Sequence, residues 1–106
     1  MKEKLLEIIN HYGVMPQLKY FQSEVFELNE AIINRECYED YLPCGYSDQD
    51  YRDYLKGHIA EEIADVMVML EQFKLYYDIS SEEITEIFWN KVDRQIERIK
   101  NEKENN

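Results

Sequence analysis

Glycine and proline, the residues that most often interrupt regular structure, are scarce in this chain, with three and two occurrences in 106 residues. This leaves few breaking points and favours long helices. Cysteine is equally rare, since the chain has only Cys37 and Cys44, seven positions apart and without a second pair. That spacing excludes a disulfide framework and a zinc-ligand pattern. We therefore expect two reduced thiols.

Positive charge is also in short supply, because 12 basic residues face 23 acidic ones and the formal net charge is -11. An acidic surface repels nucleic-acid backbones, so we expect no nucleic-acid partner. A ligand that brings its own divalent cations remains compatible, because carboxylates attract the metal and the metal attracts phosphates. No apolar run is long enough for a signal peptide or a membrane span. We expect no membrane partner and a cytoplasmic location.

Apolar residues that recur at spacings of three and four predict four helices. The predicted helices cover residues 3–11, 16–34, 51–77 and the segment that follows residue 80. Gly13 marks the end of the first helix, and Pro16 suits the first turn of the second. Ser80 and Glu83 match a capping box at the start of the fourth. Short connections between long helices predict one all-α domain, residues 1–106, folded as an antiparallel four-helix bundle.

Each long helix carries an apolar stripe that we expect to face the core. The stripe residues on the second, third and fourth helices are Leu18, Phe21, Val25, Leu28 and Ile32; Ile59, Ile63, Val66, Met67, Leu70 and Phe73; and Ile84, Ile87, Phe88, Val92, Ile96 and Ile99. Five large side chains, Phe21, Phe73, Tyr76, Phe88 and Trp89, add more apolar surface than one small bundle easily hides. We expect at least a dimer.

Two carboxylate pairs lie beside these stripes. Glu24 and Glu27 are three residues apart and share one face of the second helix. Glu62 and Asp65 repeat that spacing on the third. Four carboxylates on two packed helices repel each other unless divalent cations lie among them. Oxygen ligands of this kind suit Mg²⁺, and also Mn²⁺. The pattern predicts a metal site of these four residues.

Two alternatives apply to the same residues. In a chain with 23 acids, ordinary solvated helix carboxylates at this spacing are common. A di-iron bundle would need a Glu-x-x-His motif on two helices. Neither His11 nor His58 completes such a motif, which favours a hard, non-redox metal.

The motifs resemble those of MazG-like proteins of the all-α nucleoside triphosphate pyrophosphohydrolase superfamily. Residues 17–32, QLKYFQSEVFELNEAI, and 61–70, EEIADVMVML, are similar to that family's EExxE and ExxD helices. Ser23 stands where the first motif begins with Glu, whereas Glu62-Ile63-Ala64-Asp65 matches the second in full. The resemblance covers nearly the whole chain outside residues 36–56.

The resemblance implies a four-helix unit that forms a dimer or a dimer of dimers. It implies Mg²⁺-dependent cleavage of an NTP or dNTP to the monophosphate and pyrophosphate, in the upkeep of nucleotide pools. A carboxylate would accept the proton of the attacking water, and Glu27 and Glu61 are both candidates. The family's phosphate-contacting segment is matched by residues on the fourth helix, with one further candidate on the second. These residues are Asn90, Lys91, Arg94, Arg98 and Lys19.

Rival hypotheses keep the bundle and change the function. The chain could be a non-catalytic module whose acidic surface binds a basic partner, without metal dependence or hydrolysis. It could also be a weakened subunit that completes another protein's site, although both carboxylate pairs are intact. Residues 36–54 hold five of the nine tyrosines, Tyr38, Tyr41, Tyr46, Tyr51 and Tyr54. We expect this segment to cover the nucleotide base by stacking, or else to pack on the bundle.

Overall fold

The computed structural model describes residues 2–37 and 48–105, and every regular element in that part of the chain is an α-helix. The four helices are α1 (Lys2–Tyr12), α2 (Val14–Glu36), α3 (Asp48–Tyr76) and α4 (Ser81–Glu104). The all-helical class and the number of helices are thus as predicted. No helix within the described ranges is both long and apolar enough to cross a membrane.

The predicted helix boundaries have local causes. Gly13 separates α1 from α2 with a φ of 92°, a conformation that costs glycine little, and its N–H donates to the carbonyl of Ile9 at 2.8 Å. Between α3 and α4, Asp78 adopts a φ of 55°. The capping box at α4 is confirmed, because the Ser80 hydroxyl accepts from the N–H of Glu83 and the Glu83 carboxylate accepts from the N–H of Ser80.

The interface between α2 and α3 follows a seven-residue spacing on both helices. The buried positions with this spacing are Gln17, Glu24 and Ala31 on α2 and Leu55, Glu62 and Met69 on α3, and Gln72 on α3 is buried beside them. Gln17 contacts Met69, and Glu24 lies beside Glu62, so seven residues forward on α2 correspond to seven residues backward on α3. The same register places Ala31 opposite Leu55. This spacing is that of knobs-into-holes packing between helices.

The prediction of the buried face of α2 is partly wrong, because the buried residues lie one position before three of the predicted stripe residues. Phe21 and Leu28 are half-buried as expected, but Leu18, Val25 and Ile32 are exposed. On α3 the alternation is similar, since the stripe members exposed there are Ile63, Met67 and Leu70. The reason is that polar side chains occupy the α2–α3 interface, which turns a second, apolar row of each helix toward solvent.

The fourth helix differs from the other three in its packing. Helices α1, α2 and α3 all contact one another, whereas α4 has no buried residue and no comparable contact with any of them in the described ranges. Its predicted core residues Ile87, Phe88, Ile96 and Ile99 are exposed, and Trp89 is 57% exposed. The expectation that this stripe packs within its own chain is therefore wrong.

The tyrosine-rich segment is less of a loop than predicted. Helix α2 extends through Glu36 and α3 already begins at Asp48, so Tyr51 and Tyr54 lie in the first turns of a helix. The helical state of Tyr51 and Tyr54 agrees with the predicted helix over residues 51–77. Tyr38, Tyr41, Tyr46 and Cys44 lie outside the described residues.

Candidate metal centre

Three of the four predicted ligands converge in the middle of the α2–α3 interface. One carboxylate oxygen from each of Glu24, Glu62 and Asp65 lies within 4.8 Å of the other two, and we call these residues the carboxylate cluster. Glu24 and Glu62 occupy facing positions of the interface and are only 4% and 7% exposed. Asp65, one turn beyond Glu62, is exposed and opens the cluster to solvent.

Two oxygens of the cluster are buried without a hydrogen-bond partner among the described residues, namely Oε2 of Glu24 and Oε2 of Glu62. A buried carboxylate oxygen normally accepts hydrogen bonds, because leaving it unpaired costs a large part of its hydration energy. Here the two residues that carry unpaired oxygens each have other carboxylates close by. The arrangement lacks positive charge and has unused oxygen ligands, which is the chemistry that a hard divalent cation satisfies.

The same crowding shifts the acid–base behaviour of the cluster. Burial raises the pKa of Glu24, and the charges of Asp65 and Glu27 raise that pKa further. Burial also raises the pKa of Glu62, again with contributions from Glu27 and Asp65. The Tyr20 hydroxyl is hydrogen-bonded to Glu24, which opposes the rise at Glu24 and raises the pKa of Tyr20 itself. The cluster therefore holds its negative charge at an energetic cost that a cation would remove.

His58 approaches the cluster without joining it. Its Nε2 lies 3.9 Å from Glu62 Oε1, one helical turn away, and its charged form lowers the pKa of Glu62. Its ring is parallel to Tyr54, which is in turn parallel to Tyr51, with centroid separations of 6.3 and 6.1 Å. A row of three parallel rings thus runs along α3 up to one side of the cluster.

The two candidate general bases take different positions. Glu27 is exposed and is not one of the three residues whose oxygens converge, yet its charge raises the pKa of both Glu24 and Glu62. It therefore lies close enough to act on the cluster. Glu61 is exposed on α3, directly before Glu62 in sequence, and points away from the buried side that Glu62 occupies. This geometry favours Glu27 as the nearer of the two.

The predicted phosphate-contacting residues are not brought to the cluster by one chain. Asn90, Lys91, Arg94 and Arg98 are exposed on α4, which does not pack on the cluster's two helices to a comparable extent. Lys19 is exposed on α2, five residues before Glu24.

One neighbour of the cluster, Tyr20, was not anticipated from the sequence. It precedes Glu24 by one helical turn, so the spacing of four residues was the available signal. Tyrosine at that spacing is common on amphipathic helices, which is why the spacing alone did not single it out.

Comparisons with protein-family models, with curated proteins and with solved structures find no match for this chain. The resemblance to MazG-like proteins therefore stays a prediction that rests on short sequence motifs alone. Any function has to be inferred from the side chains themselves.

Proposed function

We propose that this chain is a Mg²⁺-dependent pyrophosphohydrolase that converts a nucleoside triphosphate, ribo or deoxy, to the monophosphate and pyrophosphate. The observation that supports this most directly is the pair of buried, unpartnered oxygens on Glu24 and Glu62, two residues whose carboxylates converge with that of Asp65. Ordinary solvated helix carboxylates would lie on the outer surface, where water satisfies them. These two lie in a helix interface and have no hydrogen-bond partner among the described residues.

The ligand set fits Mg²⁺, with Mn²⁺ as an alternative. Glu24, Glu62 and Asp65 offer oxygen atoms alone, which is the preference of hard cations, and the exposed Asp65 leaves one side open to a substrate. Glu27, the fourth predicted ligand, is exposed and its charge raises the pKa of both glutamates, so we propose that it completes the set from the solvent side. Magnesium usually retains water and binds substrate phosphates at the same time.

The chemistry asks the chain mainly for positioning and for control of charge. When bound, the metal would offset the charge of the phosphates and make an attacking water more acidic. Glu27 would accept the proton of that water at a carboxylate oxygen, with Glu61 as the second candidate. Tyr20, one helical turn before Glu24, would help to keep that carboxylate ionised, because their hydrogen bond lowers the pKa of Glu24. The α–β phosphoanhydride would break, with pyrophosphate as the leaving group.

The positive partners of the phosphates would come from α4 of another copy. The exposed apolar row of α4 and the exposed rows of α2 and α3 are both of the kind that helices bury against each other. Joining them between chains would complete an antiparallel four-helix bundle in a dimer or a dimer of dimers. It would also bring Lys91 and Arg94, which lie between Phe88 and Ile96 of the apolar row in sequence, toward a cluster on a neighbouring chain.

Light scattering tests this assembly. We expect a dimer or tetramer at micromolar concentration, and a shift toward monomer in Trp89→Ala, because the ring of Trp89 is 57% exposed within one chain. The matched control is Tyr77→Ala, since Tyr77 is comparably exposed outside the helices. A wild-type monomer would contradict the assembly.

Pyrophosphate release from a panel of NTPs and dNTPs, with Mg²⁺ and with EDTA, tests the activity. Asp65→Ala and Glu27→Ala should abolish release while the helical circular dichroism stays unchanged. Glu30→Gln, at an exposed position of α2, is the matched control and should retain activity. Near wild-type turnover in Asp65→Ala would refute the metal assignment. An absence of release from every nucleotide would favour the non-catalytic acidic interaction module.

A further inference from the structure

A cavity of about 580 Å³ adjoins the carboxylate cluster on the side opposite the row of parallel rings. It lies among α1, α2 and α3, and its walls include Tyr12, Gln17, Tyr20, Asp65 and Gln72. Asp65 belongs to both the cluster and the cavity, and Tyr20 lines the cavity while bonding to Glu24 of the cluster. The volume falls within the range of small-molecule sites. A ligand whose phosphates meet the cluster could thus extend into this space.

Two amides are among the polar side chains that line the cavity. Gln72 is 1% exposed and Gln17 is 7% exposed, and Nε2 of Gln17 donates to Oε1 of Gln72 at 2.8 Å. The remaining neighbour on their buried side is the thioether of Met69, 3.7 Å from Nε2 of Gln72, which is a weak acceptor. At the far end of the same interface, Ala31 and Leu55 are apolar. Packing of the helix pair therefore does not require amides at this end.

We propose that this cavity binds the nucleobase, and that Gln17 and Gln72 form hydrogen bonds with its Watson–Crick edge. The ligand class rests on the proposed function, since the cluster would hold the phosphates. Each amide carries a donor and an acceptor, which match a base edge that presents a donor beside an acceptor. Tyr12 and Tyr20, both exposed at the cavity wall, supply ring surface for the faces of the base.

The row of parallel rings on the other side of the cluster is the less suitable base site. Tyr54 lies between Tyr51 and His58 and is parallel to both, within 12° and 4°. The rings of Tyr51 and His58 are thus already stacked with Tyr54, in the place of a base. The amide side, in contrast, has both a volume and hydrogen-bonding groups.

Side-chain amide NMR signals of the wild-type protein test the proposal without any mutation. Nucleosides, which carry no phosphate, are titrated in EDTA. We expect the signals of Gln17 and Gln72 to shift, by amounts that differ among the bases. Gln49, on the same helix as the ring row, and Gln95 on α4 are the internal controls and should not move. Shifts at Gln49 alone, or shifts that follow protein concentration but not nucleoside, would overturn the proposal.

A second experiment measures selectivity. Gln72→Leu should weaken binding of the preferred nucleoside about tenfold, because the base would lose a partner for a buried polar group. It should also reduce the differences between bases. Tyr12→Ala, at a more exposed wall position, should weaken binding of every base and is expected to fold normally. An unchanged ranking of bases in a folded Gln72→Leu variant would refute the role of the amides.

The two proposals fail separately. Glu62→Gln should stop pyrophosphate release and leave the nucleoside-induced shifts of Gln17 and Gln72 in place. Nucleoside binding without hydrolysis of any triphosphate would refute the proposed reaction and retain the base site. Hydrolysis of a triphosphate, combined with Gln17 and Gln72 signals that do not shift with nucleoside, would refute the base site and retain the proposed reaction.

Discussion

Repulsion within the carboxylate cluster should lower the stability of the metal-free protein. Removal of one of its charges, as in Glu24→Gln, should therefore stabilise the protein when no metal is bound. Glutamine has nearly the shape of glutamate, and its amide oxygen can still accept the hydrogen bond from Tyr20. The Nε2 of that glutamine can donate to the neighbouring carboxylates, whereas Oε2 of the wild-type Glu24 has no hydrogen-bond partner among the described residues. The substitution thus removes repulsion with little change in packing.

The size of the effect follows from the distances. Oxygens of Glu24 and Asp65 lie within 4.8 Å of each other. Two unit charges at that separation repel by about 0.9 kcal/mol in water and about 3.5 kcal/mol at an effective dielectric constant of about 20. Asp65 is exposed, so solvent screening favours the lower end. A gain of about 1 kcal/mol corresponds to a rise in Tm of about 4–8 °C for a domain of this size.

Thermal unfolding in EDTA and in millimolar Mg²⁺ is the appropriate assay. We expect Glu24→Gln to raise Tm in EDTA and to reduce the further rise that Mg²⁺ gives the wild type, because metal binds the folded state alone. Glu30→Gln removes one charge from an exposed position of the same helix and should change Tm little. A Glu24→Gln variant that is no more stable than Glu30→Gln in EDTA would refute the argument.

Three further predictions concern stability. In EDTA, lowering the pH from 7 toward about 5 should raise Tm, because the raised pKa values of Glu24 and Glu62 make the folded state bind protons more tightly than the unfolded chain. This stabilisation is complete below the ordinary Glu pKa of about 4.3 and is lost as pH rises through the raised values. Asp78→Gly should raise the free energy of unfolding by up to about 1 kcal/mol, because glycine adopts a positive φ without strain. Ser80→Ala should cost about 1 kcal/mol and speed amide exchange in the first turn of α4.

Each of the three has a matched control. The pH effect should be smaller in a Glu24→Gln/Glu62→Gln double variant, and a wild-type Tm that falls on acidification would contradict it. Asp78→Ala should be less stable than Asp78→Gly, and equal stability would show that φ is not the cause. Ser80→Thr keeps an oxygen at the cap, and exchange rates in Ser80→Ala that match those of Ser80→Thr would contradict the capping role.

Helix number and boundaries could be predicted because local chemistry fixes them. Gly13 takes a conformation that other residues avoid, and Ser80 with Glu83 completes a cap whose partners lie three residues apart. The end of α3 has a similar local cause, since N–H groups of Ile79 and Asp78 donate to carbonyls of Lys74 and Leu75 at 2.9 and 3.2 Å. None of these features depends on distant parts of the chain.

The buried face of α2 could not be predicted from apolar periodicity. Two rows lie one position apart, Gln17-Glu24-Ala31 and Leu18-Val25-Ile32, and only the second is apolar throughout. Periodicity selects the apolar row, whereas α3 packs on the other. Which row faces α3 depends on the register of two helices far apart in sequence, and no local spacing encodes that register.

The candidate site was predictable to the extent that it depends on spacing within a helix. Glu62 and Asp65 share a face by their separation of three residues, and packing against α2 then brings Glu24 to them. The weak packing of α4 was not predictable, because its apolar row has the same spacing as a core stripe although most of that row is exposed. Gln72 escaped notice because a single buried amide has no sequence signature.

The distribution of polar groups along the α2–α3 interface connects these observations. One end is apolar, with Ala31 and Leu55, while the middle holds two buried carboxylates and the other end holds two buried amides. Buried polar groups weaken a helix pair unless something satisfies them, and two of the carboxylate oxygens have no partner in the described chain. A protein built for stability alone would place its apolar row in this interface. The chain instead turns that row outward and keeps the polar row between its helices, an arrangement that suits a ligand bound within the helix pair and a second chain bound outside it.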